Sequence, residues 1–597
     1  MRSFKRECIV VGTGAAGYNA ACRLKQQGVH VAIVTEGINV GTSRNTGSDK
    51  QTYYKLGLGG AEADSVHKMA QNLFDGGRTD GDNALSEAAL STRCFMNLCE
   101  LGVPFPVNRY GEYVGYKTDH DPYARATSVG PLTSKFMTEA LEKHAKALGV
   151  EIFDGYLAVE VLKKDGAVCG LLCLEQASGE LVGFQCGDIV LATGGPAGIY
   201  ADSVYPECHT GTSSLALLAG AKAQNLTLWQ YGLASTHPRW NVSGTYMQVL
   251  PRFVSVDPDG TEHEFLLEAF PDPYQALSLV FLKGYQWPYD PRKAKDGSSQ
   301  IDMLVYRECT QKKRRVYLDY TRNPFGLEEI EFSRLSAEAH AYLKGANATF
   351  GTPIQRLARM NTPAIELYRS KGVELEKEYL EIALCAQHNN GGIAVDAWWQ
   401  TCVSGLYAAG ECAGTHGISR PGGSALNAGQ VGSLRAAQYV AKHPNVMAED
   451  AVFAKILAER AEANHVCAQA AEDDLERCMA ATQRRMSDSA AAVRDREKIA
   501  QALSQTQAEL DALPEKAAVC GASRRYLYFK LRDVLVTQCA VLTAMLEDTR
   551  TDRDLVQETC LENGRFSCRW RPVRPIPEVD NFFENVWRGY RENQNIY

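Results

Sequence analysis

No Cys-x-x-Cys pair occurs anywhere in this 597-residue chain, although it holds 18 cysteines. The closest pairs, Cys94/Cys99, Cys169/Cys173 and Cys560/Cys568, have spacings that suit neither an iron–sulfur cluster nor a metal site. The thiols are therefore expected to act as small buried apolar side chains, and any iron–sulfur relay would sit on another protein. An apolar run of about 18 residues is also missing, so no integral membrane segment is expected. The start, MRSFKRECIVVG, enters a strand-like run at once and leaves no room for a signal peptide, which makes a cytoplasmic location the expectation. Positive charge is not in surplus: 63 Lys+Arg stand against 71 Asp+Glu, a net charge of -8, which argues against nucleic acid as a partner. With 45% hydrophobic and 22% charged residues, the chain reads as an ordinary globular protein of several structural units.

What is present is clearest at the N-terminus. Cys8–Val11 is a short buried-strand run, GTGAAG follows, Tyr18–Gln27 has helical composition, and Val29–Thr35 is a second strand closed by Glu36. This strand, glycine turn, helix, strand and acid order is the dinucleotide-binding fingerprint in its required context. Gly12 permits the tight turn, and Gly14 lets the backbone N–H groups of Ala15 and Ala16 approach a pyrophosphate. Gly17 allows close packing of helix on strand, and Glu36 is placed for ribose hydroxyls.

A second element, Asp188–Tyr200, joins a buried strand to Ala192, Thr193, Gly194 and Gly195. A third begins at GLYAAG (405–410), continues through Glu411 and a glycine-rich stretch to Gly423, and enters a helix near Asn427–Val440. Three such loops so far apart imply a discontinuous nucleotide-binding domain of residues 1–225 and 376–440. An insert at 226–375, rich in aromatics and proline, interrupts it. Residues 441–597 read as a helical domain with breaks near Leu513-Pro514 and Gly521, ending in a proline-broken, aromatic tail from Trp570 that straps over another surface. The fold class is α/β, with a Rossmann-type domain, an inserted α+β capping domain and a C-terminal helical domain.

These pieces together resemble the flavoprotein family of succinate dehydrogenase, fumarate reductase and L-aspartate oxidase. The resemblance rests on GTGAAG at 12–17, VLATGGPAGIY at 190–200, HNNGGI at 388–393, GLYAAGEC at 405–412 and THGISRPGGSALNAGQVGSLRAA at 415–437. It implies FAD as cofactor, with Glu411 at the ribityl or pyrophosphate region and Ser424, Ala425 and Leu426 against the isoalloxazine. Ser43 and Gly47 join the cofactor-binding set. The stretch GTSRNTGSDKQ (41–51) has Arg44 where respiratory members carry a flavin-linking histidine, so noncovalent FAD is expected.

The same resemblance implies that His388 and Arg420, with His416 beside them, hold a substrate carboxylate, a task suited to the guanidinium fork. Outside that motif context each would read as a structural salt bridge or a core histidine. The other active-site motifs depart from the pattern. Gly232 stands where a second carboxylate-binding histidine belongs, Val249 falls near the catalytic arginine, and Thr-Gly-Asp-Gly becomes Thr210-Gly211-Thr212-Ser213. Tyr246, Arg252 and Arg239 are the local candidates for a replacement acid, Tyr246 and Arg252 ranking first. The expected function is an FAD-dependent oxidoreductase acting on a C=C or C=N bond beside the carboxylate of a small organic acid, and not on the usual fumarate or succinate. The alternatives are an aspartate-type amino-acid oxidase or the flavoprotein subunit of an adenylylsulfate-reductase-like complex with a ferredoxin-like or iron–sulfur partner.

Overall fold

The computed structural model describes residues 1–60, 62–118, 120–207, 209–464, 472–516 and 522–578. A parallel sheet forms its centre, in the order Leu406–Ala408, Asp188–Leu191, Cys8–Val11, Val31–Thr35 and Glu151–Asp154. Cys8–Val11 pairs in register with Asp188–Leu191 on one side and Val31–Val34 on the other. Such strands are covered on both faces, which is why they read as unbroken apolar runs. Ala15–Gln26 follows the first strand, and Ser424–Lys442 packs along it. Asn19 Nδ2 donates to Gln430 O at 3.0 Å and Ser433 Oγ at 2.7 Å, while Gln430 Nε2 donates to Ala15 O at 3.0 Å. The third sequence element is thus locked to the first.

The inserted region builds a six-stranded antiparallel sheet, in the order Arg239–Asn241, Trp229–Thr236, Leu380–Asn389, Arg315–Asp319, Arg252–Val256 and Glu262–His263. Its core is separate from that of the parallel sheet. Leu380–Asn389, a central strand of this sheet, lies beyond residue 375 and delivers His388 to the seam between the two sheets. The buried cysteines, Cys8, Cys22 and Cys173 among them, are free thiols within the cores.

The C-terminal region holds the helices Asp450–Ala463, Glu472–Ser489, Arg496–Lys516 and Ala522–Glu547. The third runs past Pro514, so the expected break there is absent, and Gly521 lies outside the described residues. The region is also not helical throughout. Leu555–Glu562 and Arg565–Pro572 form a hairpin, so Trp570 stands in a strand rather than in a strap. Leu555–Glu562 pairs with Ala223–Gln224, which in turn pairs with Gly392–Ile393. Beyond the hairpin, Arg574 reaches Asp82 at 2.8 Å and its N–H donates to Asp80 at 2.8 Å, laying this segment over the start of helix Gly81–Glu100. Residues 579–597 of the tail lie outside the described residues. No helix among the described residues is long and apolar enough to cross a membrane.

Candidate functional site

A cavity of about 1130 Å³ opens between the parallel-sheet domain and the inserted sheet. One end is made by the three glycine loops. Gly12, Gly14, Ala15 and Ala16 face it from the first, Ala192, Thr193 and Gly194 from the second, and Ala425 and Leu426 from the third, together with Glu36, Ser43, Gly47 and Glu411. Gly17, Gly195 and Ser424 stand behind this surface and shape it. A Cβ on Gly12 would come within 2.4 Å of the Ala192 carbonyl oxygen, and one on Gly17 within 2.1 Å of the Gly12 carbonyl oxygen. Loop, helix and neighbouring loop are in backbone contact, and only glycine permits it. A Cβ on Gly195 would meet Glu411 Oε1 at 2.1 Å, so this glycine lets the carboxylate lie beneath the second loop.

Backbone donors converge on the same end. Gly14 caps the first helix without a side-chain cap, and only the Ala15 N–H is engaged locally, by Ser43 Oγ at 3.3 Å. Gly423 caps the helix from Ser424 in the left-handed region, again with no side-chain cap. The N–H groups of Ser424 and Leu426 go to Pro421 and Gly423 carbonyls, which leaves that of Ala425 for a ligand.

Glu36 is not alone at its rim. It accepts from Lys530 Nζ at 2.8 and 3.2 Å and from the Tyr526 hydroxyl at 3.1 Å, both on helix Ala522–Glu547. Asp533 of that helix accepts from the Thr212 and Ser214 N–H groups, each at 3.1 Å, beside the altered Thr210–Ser213 segment. Sequence reasoning missed these residues, because nothing local ties a C-terminal helix to an N-terminal acid. Arg44 is paired with Glu142 and lies 3.8 Å from Glu139; it does not line the cavity.

The other end gathers His388, Asn390, Gln230 and Arg420. Arg420 Nη2 donates to Gln230 Oε1 at 2.8 Å, and its Nε donates to Asn390 Oδ1 at 3.2 Å. Among the described residues no carboxylate lies within ion-pair distance of this guanidinium. Burial lowers it to about 10, while Glu411 and Tyr205 pull the other way. His388 Nδ1 meets Asn390 Oδ1 at 3.1 Å, and its buried Nε2 has no hydrogen-bond partner; Glu411 Oε1 is 3.8 Å away. Burial, then the charges of Arg420 and His416, hold His388 well below the usual imidazole range. His416 packs against it with ring centroids 5.0 Å apart but stands behind the cavity wall, pushed down to about 3 by burial and by Arg420. Behind it Thr415 Oγ1 donates to Glu87, whose buried carboxyl is pushed up to about 8. Burial likewise pushes Glu411 up to about 7, against the hydrogen bonds from Tyr205 and the Asn389 N–H and the charge of Arg420.

Two expected catalytic residues are elsewhere. Tyr246 is fully buried in the inserted domain, its hydroxyl donating to Ala364 O at 3.1 Å and its ring edge-on to Tyr368. Arg252 is held by Glu264 at 2.6 Å, Glu262 at 2.9 Å and Asp319 at 3.4 Å, a saturated cluster that does not line the cavity. Both assignments are corrected: the strand Arg252–Val256 runs inside the sheet, and its arginine has acidic neighbours on the adjacent strands to satisfy. Arg239 is likewise engaged, donating to Tyr205 O at 2.8 Å.

The FAD binding domain model matches residues 7–426. Over 453 residues the chain is 24% identical to one subunit of the fumarate reductase (CoM/CoB) of Methanothermobacter marburgensis, covering 74% of each. Over 439 residues it is 25% identical to L-aspartate oxidase 2 of Ralstonia nicotianae, covering 71% of this chain and 70% of that one. An E. coli quinol fumarate reductase chain superposes with TM-score 0.71 at 17% identity, covering 97% of this chain and 98% of the other. Adenylylsulfate reductase of Archaeoglobus fulgidus superposes with TM-score 0.66 at 15% identity, covering 97% of both. The residues present fit the cofactor: glycine loops too close for any Cβ, unengaged N–H donors at two helix starts, and Glu36 and Glu411 on the cavity wall. The chain belongs to the FAD-binding family, among the FAD-dependent oxidoreductases of the fumarate reductase and aspartate oxidase type.

Proposed function

We propose that this protein binds FAD noncovalently and exchanges two electrons and two protons with a C=C or C=N bond next to the carboxylate of a small organic acid. The observation that carries this reading is Arg420. A half-buried guanidinium at the seam of two domains, bonded among the described residues to the neutral amides of Asn390 and Gln230 and to no carboxylate, is poised for an anion. Its fork would take a carboxylate in two parallel bonds, with the unpartnered Nε2 of His388 as a third contact. Bound FAD would supply the hydride chemistry, and the Ala425 N–H would oppose negative charge beside it. The second hydrogen moves as a proton, and His388, a wall residue with an unpartnered Nε2, is the candidate that shares Asn390 Oδ1 with Arg420. An arriving carboxylate favours its protonated form, so acid binding should take up a proton and tighten as the pH falls. Arg44, paired with Glu142, supports noncovalent attachment: acid precipitation should release the flavin into the supernatant, and fluorescence retained on the denatured protein would overturn this. The central test is an anaerobic screen of carboxylic acids for reoxidation of the photoreduced flavin.

A second reading, the flavoprotein subunit of an electron-transfer complex, is favoured by the likeness to adenylylsulfate reductase, which extends through the C-terminal region as well as the FAD-binding part. Co-purification with an iron–sulfur protein from the native host, and flavin reduction by that protein, would select it.

A further inference from the structure

The wall facing the carboxylate site is built around an absent side chain. Gln230, which accepts from Arg420, lies opposite His388 in the paired strands Trp229–Thr236 and Leu380–Asn389. Gly232 lies two residues along the same strand, past a register shift between Gln230 and Tyr231, and pairs with Cys385. A Cβ there would come within 2.3 Å of Trp287 Cζ2 and 2.5 Å of Cε2, so the indole lies in the space that a side chain at 232 would need. The one polar atom of the indole is already used, since Nε1 donates to Leu233 O at 2.9 Å. What Trp287 presents to the cavity it lines is therefore carbon.

This wall is fixed in place. The Tyr289 N–H donates to Tyr231 O at 2.8 Å. Lys283 Nζ donates to the carbonyls of Gln286 and Trp287, each at 2.8 Å, and pairs with Asp302 at 2.8 Å, both side chains fully buried. A lysine buried with its counter-ion and bonded to two loop carbonyls sets the loop conformation before any ligand arrives.

We propose that the acid taken by this site carries one carboxylate and, across the reacting double bond, an aromatic or bulky apolar group that lies against Trp287. The proposal rests on the reading of Arg420 and His388 as the carboxylate site. A second carboxylate placed here would lose its water and meet an indole with no free donor, whereas an aryl group gains apolar contact and ring stacking. Besides Arg420 and Arg553, the cations among the described residues of the cavity wall are Lys50, Lys117, Lys293 and Arg292, the last held by Asp290 at 3.0 and 2.9 Å.

The test uses flavin-loaded protein, photoreduced without oxygen, and two probes that each carry a trans C=C bond beside a carboxylate: fumarate and 3-phenylacrylate. The wild type should be reoxidised by 3-phenylacrylate with kcat/KM at least tenfold above that for fumarate. Trp287→Ala should lower the aryl value at least tenfold with flavin content unchanged, and the milder Trp287→Phe should keep the preference. Gly232→His combined with Trp287→Gly should turn the preference towards fumarate. A wild type that prefers fumarate, a preference unmoved in Trp287→Ala, or fumarate use abolished by Lys293→Ala would overturn the proposal. If neither acid reoxidises the flavin, and neither benzoate nor succinate perturbs the spectrum of the oxidised flavin in the parent or in Arg420→Ala, the carboxylate site itself fails and this inference falls with it.

Discussion

The two ends of the cavity obey different rules. At the nucleotide end the walls are backbone: carbonyls of Gly12 and Ala192 approach positions where a single methyl group cannot fit. At the acid end the walls are side chains whose placement depends on the inserted sheet, the Gln286–Tyr289 loop and the buried pair Lys283–Asp302. A backbone site tolerates one residue type at each position, so it is inherited as a motif. A side-chain site can be rebuilt by exchanging partners, and the indole of Trp287 fills the space that a side chain at 232 would need.

The contrast can be broken most forcefully at Gly12. Gly12→Val adds side-chain atoms against the Ala192 carbonyl at a φ of +110, strain of at least about 1–3 kcal/mol before the overlap is counted. The flavin-to-protein absorbance ratio should fall at least about fivefold by that estimate; an unchanged ratio would mean that the loop yields. Arg252→Met should cost about 3 kcal/mol of stability, the low end for a buried pair because Glu262 and Glu264 are partly open to water. Turnover per bound flavin should stay the same, and a selective loss of turnover would return Arg252 to the active site. Arg420→Ala, by contrast, should keep its flavin and its fold while losing about 2–4 kcal/mol of transition-state stabilisation, on the order of a hundredfold in kcat/KM. A variant that loses flavin but not activity per bound flavin would make the arginine structural.

Smaller effects sharpen the same boundary. Glu411 has its carboxyl raised from 4.5 to about 7, so the folded chain holds a proton that the unfolded chain has released. Its contribution to stability is complete below pH 4.5 and is lost as the pH rises through about 7. Glu411→Gln stays neutral throughout. Denaturant curves of flavin-free protein should show the variant gaining on the parent across that window and then levelling; a flat difference would mean that Glu411 titrates normally. Tyr246→Phe comes last, removing only the bond to Ala364 O, about 1 kcal/mol of stability, with no change in rate.

The same rule explains what was legible in the sequence. Strand, turn and acid at 8–36, the strand at 188–191 and the helix from Ser424 were readable because local pattern and backbone demand coincide. His388 and Arg420 were readable from motifs, and the structure brings them together. Tyr246 and Arg252 misled because chain position says nothing about which way a residue faces: Tyr246 sits in the short helix Thr245–Gln248 and Arg252 in a strand, and their partners Ala364 and Asp319 are distant in sequence. Lys530, Asp533 and Trp287 gave no signal for the same reason: each acts across a contact between elements that only the folded chain brings close. The hairpin at 555–572 was hidden behind the helical composition that precedes it.

That hairpin has a consequence for biosynthesis. Ala223–Gln224 and Gly392–Ile393 flank the inserted domain on its two sides, and Leu555–Glu562 is the strand that completes their sheet. Synthesis proceeds from the N-terminus, so a chain still held on the ribosome has every glycine loop but an open sheet edge at the base of the inserted domain, and that edge is a template for wrong pairing. Arrested nascent chains released at residue 554 should therefore aggregate and stay colourless, whereas chains released after residue 578 should take up flavin. Flavin retained by the shorter chain would show that cofactor uptake does not need the hairpin.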